Sequence, residues 1–357
     1  MPNRIQQFKR RLIVFILGVI VIAAARWIYV GQHKEPFSFE AYTMGTMYHV
    51  KVVGAHVSAD VFKSWMLECH QILSDIEAEL SHYQKDSTLS KFNQSKDTKS
   101  LTVISKDFET ILTCALNVYD LSNGLFDITI APLVDLWGFG ADGETDEAPD
   151  KTKIEETLSR IGSKNIIFLG DGHLGKSIPD LEINLSAIAK GYAVDQLAAY
   201  LDQTQCENYL IEIGGEVKTK GVNPDGQIWR LGIVEPTVSH EKEGDLLAIV
   251  SLDGRALATS GVYQNFIMDN GEPHSHIINP MTGYPIQHRT ASVSVVTDSC
   301  MWADAYATAL SVMGVDMGLA WVEKLPNTDA YFVVRKNDGT FETFMTDGFK
   351  DLVTESW

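Results

Sequence analysis

The chain has 357 residues, 45% hydrophobic and 21% charged, which excludes overall disorder and leaves room for one large domain or two ordinary ones. Its 29 basic and 47 acidic residues give a formal charge of −18. That excludes a general nucleic-acid binder, because neutralising phosphates needs a basic surface.

The charge is divided along the chain. Residues 1–30 carry five basic residues and no acidic one, leaving −23 for the rest. Lys9-Arg10-Arg11 precede an uncharged run from Leu12 to Ala25, and after Arg26 the apolar character continues through Trp27-Ile28-Tyr29-Val30. Leu12 to Val30 is 19 residues, close to the roughly 20 that cross a bilayer. A basic flank before such a run reads as a signal-anchor, with the basic end in the cytoplasm and the acidic body outside. Cleavage near Ala23-Ala24-Ala25 is the competing reading. Residues 1–35 are therefore expected to be a membrane segment and linker at the inner membrane, and 36–357 one compact domain in the periplasm or extracytoplasmic space. The widely spaced Cys69, Cys114, Cys206 and Cys300 show no metal-like spacing and are expected to be buried free thiols.

Along the body, Met44-Gly45-Thr46 marks a turn before an alternating strand, Met47 to Val53. Ser58 to Leu80 has apolar residues at helical spacing with Ser58 as N-cap, and Ser105 to Leu121 is a second helix ending at Ser122-Asn123-Gly124. Phe126-Asp127-Ile128-Thr129 leads to Pro132 and Trp137-Gly138-Phe139-Gly140, a loop suited to close aromatic packing. Ala141 to Lys153 is acidic and glycine-containing, hence an exposed loop. Strands are expected at Ile166–Leu169 and Tyr209–Ile213, around a helix from about Ser186 to Leu201. That helix starts in Asn184-Leu185-Ser186-Ala187-Ile188-Ala189-Lys190-Gly191, where free N–H groups attract anions; Lys190 gains nothing there from the helix dipole, so an anionic ligand would explain it.

Further strands are expected at Ile228–Val234, Leu246–Leu252, Ala291–Val296 and Tyr331–Val334, with helices at Cys300–Met313 and Asp316–Leu325. Gly214-Gly215 and Thr259-Ser260-Gly261 read as strand-terminal turns. His274 and His276 alternate on one side of a strand, open to metal, acid/base or no chemistry. Asp304 and Thr308 share a helix face and offer two hard oxygens suited to Mg²⁺. Strands in runs with few β-α-β alternations favour an α+β fold with largely antiparallel sheets and packed helices over a doubly wound one.

In this order, from about Met44 to Gly314, these segments resemble the ApbE family, the flavin transferases that move FMN from FAD onto a protein. The resemblance implies a T-fold-like α+β domain and a Mg²⁺-dependent reaction, with Mn²⁺ an alternative. FMN goes to a threonine or serine hydroxyl of an acceptor protein and AMP is released; a membrane or extracytoplasmic redox protein is the expected acceptor. It implies that Met44, Tyr83, Leu125, Phe126, Asp127, Lys190 and Ile278 surround FAD. Asn184 falls at a further cofactor-binding position where family members commonly have Asp, and Asn279 also replaces a common Asp. Asp304, Thr308 and the Ala187 carbonyl match the divalent-metal ligands, with Asp304 serving catalysis as well. His276 lies where the family draws a catalytic base. A Mg²⁺-dependent FAD pyrophosphatase and a non-catalytic, membrane-anchored flavin binder are the rival readings.

Overall fold

The computed structural model describes residues 36–54, 57–140, 148–236, 245–261, 266–269 and 272–357, with 266–269 and 272–274 described by backbone alone. The expected membrane segment, the acidic stretch 141–147 and the His274 side chain lie outside the described residues. Among the described residues no helix is long and apolar enough to cross a membrane.

The main sheet has eight strands that follow one another across it in chain order. They are β1 (Phe37–Thr43), β2 (Thr46–Val52), β3 (Tyr209–Ile213), β4 (Glu216–Lys220), β5 (Ala256–Gly261), β6 (Thr290–Thr297), β7 (Asp329–Arg335) and β8 (Phe341–Met345). Every neighbouring pair is antiparallel, so the expected α+β fold with largely antiparallel sheet is what forms.

Between β2 and β3 the chain inserts helices α1 (Ala59–Leu80), α2 (Thr88–Gln94), α3 (Lys106–Leu121) and α4 (Ala189–Gln203); α5 (Cys300–Met313) follows β6. α4 packs on β3 and β4, α5 on β5 and β6, and α1 on β1 and α4. The opposite face, under β5 to β7, is covered by the strands Trp229–Val234, Leu246–Leu252 and Val353–Ser356, which form their own sheet. Period-two alternation divides the central strands between two cores. Val293, Val295, Ala258 and Phe332 enter the core beneath the helices, while Val296, Leu257, Tyr331 and Val333 enter the other with Phe349. Covered on both sides, all of β6 is buried, which is why its sequence reads as a run of small and β-branched residues.

The expected elements recur with informative shifts. Ser58 and Ser105 are the N-caps of α1 and α3, accepting from the N–H groups of Val61 and Phe108. α3 ends where Asn123 and Gly124 take positive φ, 53° and 83°. The helix expected from Ser186 begins at Ala189, because Asn184 Oδ1 accepts the Ser186 N–H at 2.9 Å and holds 186–188 as a turn. The exposed loop expected as far as Lys153 gives way to a helix at Lys151–Leu158, whose cap Asp150 accepts from Lys153 N. The strand expected to carry both histidines ends at Ser275, before His276. All four cysteines are buried and free; burial pushes Cys69 up to about 12, so it remains a thiol.

Candidate active site

The site is organised by two helices that cap each other. α4 crosses α5 so closely at Gly191 that a Cβ there would lie 2.3 Å from the Cys300 carbonyl oxygen and 2.8 Å from Asp304 Cβ; only glycine permits the approach. The Gly191 N–H, an orphan donor of the first turn of α4, donates to Asp304 Oδ2 on α5 at 3.0 Å. In return Asp195 on α4 accepts the Cys300 and Met301 N–H groups at the start of α5, both at 3.0 Å, and the Ser299 hydroxyl at 2.6 Å. Asp304 is thereby fixed beside the start of α4, and Thr308 lies one turn further along α5, half-buried.

Lys190 adjoins Gly191 and donates to Glu216 Oε1 at 2.6 Å. Glu216 opens β4 immediately after the Gly214-Gly215 turn and is only 2% exposed. Its Oε2 is buried and has no hydrogen-bond partner among the described residues. Burial and the neighbouring Asp304 charge push the Glu216 carboxyl up, and Lys190 pulls it back. Burial likewise raises Asp304, against Lys190 and the Gly191 N–H. The one ammonium bonds Glu216 directly and also feels the charge of Asp304. Burial favours a neutral Lys190, but Glu216 and Asp304 outweigh it and raise Lys190 to about 12, so it stays charged.

A cavity of about 340 Å³ opens beside Lys190. Its wall brings together Met44 and Gly45 from the β1–β2 turn, Ile76, Glu77 and Leu80 from α1, the loop Ser81 to Gln84, and Leu185, Ser186 and Ala189 at the entry to α4. Of the expected flavin contacts, Met44, Tyr83 and Lys190 meet here. Tyr83 is 70% exposed and meets the His82 ring at a tilt, centroids 3.9 Å apart. Burial lowers the His82 pKa below its ordinary 6.5, leaving a neutral imidazole at neutral pH.

The other expected contacts are placed differently. Phe126 is 2% exposed, within the helical core, and Leu125 packs against it. The Asp127 carboxylate accepts from the Thr129 N–H and hydroxyl (2.8 and 2.6 Å) and from the Ser163 N–H and hydroxyl (3.2 and 2.7 Å). Three of those donors converge on Oδ1 and one on Oδ2, tying the carboxylate to its own loop and to Ser163. Asn184 donates its N–H to the Ile128 carbonyl at 2.7 Å, joining this loop to the cavity's Leu185 and Ser186. Ile278 is buried in a separate cluster with Leu133, Trp137, Ile154 and Ile161. In that region Trp137 Nε1 donates to the Gly283 carbonyl at 2.8 Å, and His276 lies 6.2 Å from Phe139, centroid to centroid. His276 is not part of the wall around Lys190.

Among the described residues no group of three or more His, Cys, Asp or Glu could hold a metal, so a cation site built from them would add hydroxyl or backbone oxygens to its carboxylates. The candidates fit a hard divalent ion. Asp304 uses only Oδ2 within the protein, and no hydrogen bond among the described residues engages the Thr308 hydroxyl or the Ala187 carbonyl. Ala187 stands one turn before Gly191, whose N–H meets Asp304. The sequence reading missed Glu77, Ser81, His82, Gln84 and Glu216. The only available signals were the flanking of Tyr83 by His82 and Gln84, and the position of Glu216 after a double glycine.

The sequence model of the ApbE family matches residues 44–332, and the chain belongs to this family. It is 36% identical over 341 residues to the FAD:protein FMN transferase of Haemophilus influenzae, covering 94% of this chain and 97% of that one. It is 37% identical to the Vibrio cholerae protein of the same name, covering 88% and 91%. The solved flavin transferase ApbE from Vibrio cholerae superimposes with a TM-score of 0.80 at 35% identity, over 89% of this chain and 99% of that one. The apo flavinyl transferase ApbE of Pseudomonas stutzeri gives 0.80 at 32% identity, over 91% and 98%.

Proposed function

We infer that this chain is a FAD:protein FMN transferase, moving FMN from FAD to a hydroxyl of an acceptor protein. The observation that carries the reading is Lys190, which lines an apolar cavity and is ion-paired with the buried Glu216, next to the Gly191 N–H that holds the buried Asp304. A simple apolar binding pocket has no use for so costly an arrangement. A pyrophosphate between a nucleotide and a flavin does.

In the reaction a threonine or serine oxygen of the acceptor attacks the FMN phosphorus. The bond from that phosphorus to the bridging oxygen breaks, and AMP leaves with the oxygen. Such a displacement needs positioning and charge neutralisation more than covalent chemistry from the protein. Lys190 binds a pyrophosphate oxygen, while Glu216 keeps its ammonium in place. The apolar wall from Met44 to Leu80 excludes water from the reacting phosphorus, and Tyr83 offers an aromatic face to a ring of the dinucleotide. His276 is assigned the acceptor's proton, delivered as that protein docks over the Phe139 side of the site.

Asp304, Thr308 and the Ala187 carbonyl are the residues that would hold Mg²⁺ or Mn²⁺. An ion held there would supply neutralisation of the charge that develops on phosphate oxygens. The −23 of the body repels an anionic dinucleotide at long range, so affinity must come from these local groups. The basic flank and 19-residue apolar run at Leu12 to Val30 support an anchored enzyme facing an extracytoplasmic redox acceptor.

The test is metal removal. With FAD and an acceptor domain present, fluorescence that survives a denaturing gel should appear on the acceptor with Mg²⁺, vanish with EDTA and return on adding excess Mg²⁺. Labelling unaffected by EDTA would remove the metal from the account.

A further inference from the structure

Two elements far apart in sequence form the lips of the cavity: the β1–β2 turn at Met44 and Gly45, and the loop Ser81 to Gln84. Both are tied to one side chain. Glu77, in the last turn of α1, accepts through Oε1 from the Thr43 hydroxyl at 2.9 Å and from the Met44 N–H, and through Oε2 from Gln84 Nε2 at 3.1 Å. The three donors use both oxygens of the carboxylate, one oxygen for each lip.

Met44 holds a positive φ of 47°, a conformation that costs a residue with a Cβ about 1–2 kcal/mol and persists only where the surroundings enforce it. The two-residue Met44-Gly45 turn between the paired Thr43 and Thr46 requires that conformation, and the Glu77 bond to the Met44 N–H braces it. Met44 lies on the cavity wall, and Thr43, 6% exposed, is held by the same carboxylate oxygen. Ser81 supports the second lip independently, its hydroxyl accepting the Tyr83 and Gln84 N–H groups at 3.2 and 3.3 Å. That loop has internal order of its own, and what Glu77 adds is its distance from the first lip.

We propose that Glu77 is a positioning residue for FAD, a carboxylate clamp that sets the separation of the two lips and so the affinity of the cavity for the dinucleotide. It acts through Met44 and Gln84 and takes no part in the phosphoryl transfer at Lys190 and Asp304. The proposal rests on the transferase reading above.

The test uses the full chain, with FAD affinity measured by flavin fluorescence without acceptor, and KM and kcat measured with it. Glu77→Ala should weaken FAD binding and raise KM for FAD about tenfold, with kcat at saturating FAD within about threefold of the parent. Glu77→Gln keeps a carbonyl oxygen for Thr43 and Met44, and Gln84 can present its own carbonyl to the new amide, so affinity should return to within about threefold. Thr43→Val removes one donor and should raise KM by a few-fold, so the proposal stays testable if the alanine variant folds poorly. Unchanged FAD affinity in a folded Glu77→Ala or Thr43→Val variant, or a fall in kcat with KM unaltered, overturns the clamp. If the parent protein itself fails to bind FAD, the transferase reading falls and the clamp with it.

Discussion

Asp304→Asn is expected to lower flavin transfer by about a thousandfold or more while leaving the fold intact. The magnitude corresponds to roughly 4 kcal/mol of transition-state stabilisation, within the several kcal/mol that charge neutralisation on a transferring phosphoryl group supplies. The fold should survive because the asparagine carbonyl can still accept the Gly191 N–H that Asp304 Oδ2 now accepts. What the amide loses is the charge and one of its hard oxygens. Asp304→Ala removes the acceptor as well, leaving an orphan donor at the start of α4, and should cost about 1 kcal/mol of stability on top of the same catalytic loss. Single-turnover rates with thermal melts on both variants separate the two effects. A folded Asp304→Asn enzyme with near-normal turnover would remove Asp304 from the chemistry.

Lys190→Met should affect stability and affinity together, and the two can be pulled apart. Removing the ammonium strands Glu216, already 2% exposed with one oxygen unpartnered among the described residues. Breaking one side of such a pair costs about 3–5 kcal/mol, which predicts a melting temperature lower by roughly 5 °C or more for a domain of this size. The KM for FAD should rise about ten- to a hundredfold, the value of one charge-assisted hydrogen bond to phosphate. Lys190→Met combined with Glu216→Gln removes both charges, and most of the lost stability should return. FAD affinity should not. Recovery of both would mean that Lys190 is a structural ion-pair partner and nothing more.

How much of this was legible in the sequence depends on which forces leave a local trace. Caps do, and Ser58 located one helix start to within a residue, as apolar spacing from Ser105 did for a second. The helix Cys300–Met313, whose apolar and small residues leave Trp302 and Thr308 as its only half-buried positions, was read at its observed limits. Asp304 and Thr308 were therefore placed on the correct element. β5 was read only as a turn motif, because Ala258-Thr259-Ser260-Gly261 are small residues. They are small because α5 packs directly on them, a tertiary cause that no periodicity records. The start of α4 was misplaced because the Asn184 turn competes with the helix for the same N–H groups.

At the site the limit was burial of charge. Glu77 is one acid among many on an amphipathic helix, and Glu216 heads a strand of mixed polarity. Nothing local distinguishes a solvated carboxylate from one that clamps a turn or holds a lysine. Asp127 is the converse case: a motif position whose carboxylate accepts from Thr129, two residues on, and from Ser163, 36 residues on.

The most direct test of the central claim is stoichiometry. The full chain is incubated with FAD, Mg²⁺ and an acceptor domain carrying a modifiable threonine, and AMP, free FMN and acceptor-bound flavin are quantified together. The account predicts one AMP for each flavin fixed covalently on the acceptor, with no accumulation of free FMN. AMP and free FMN formed in equal amounts with an unlabelled acceptor would contradict it and make water, not a protein hydroxyl, the nucleophile.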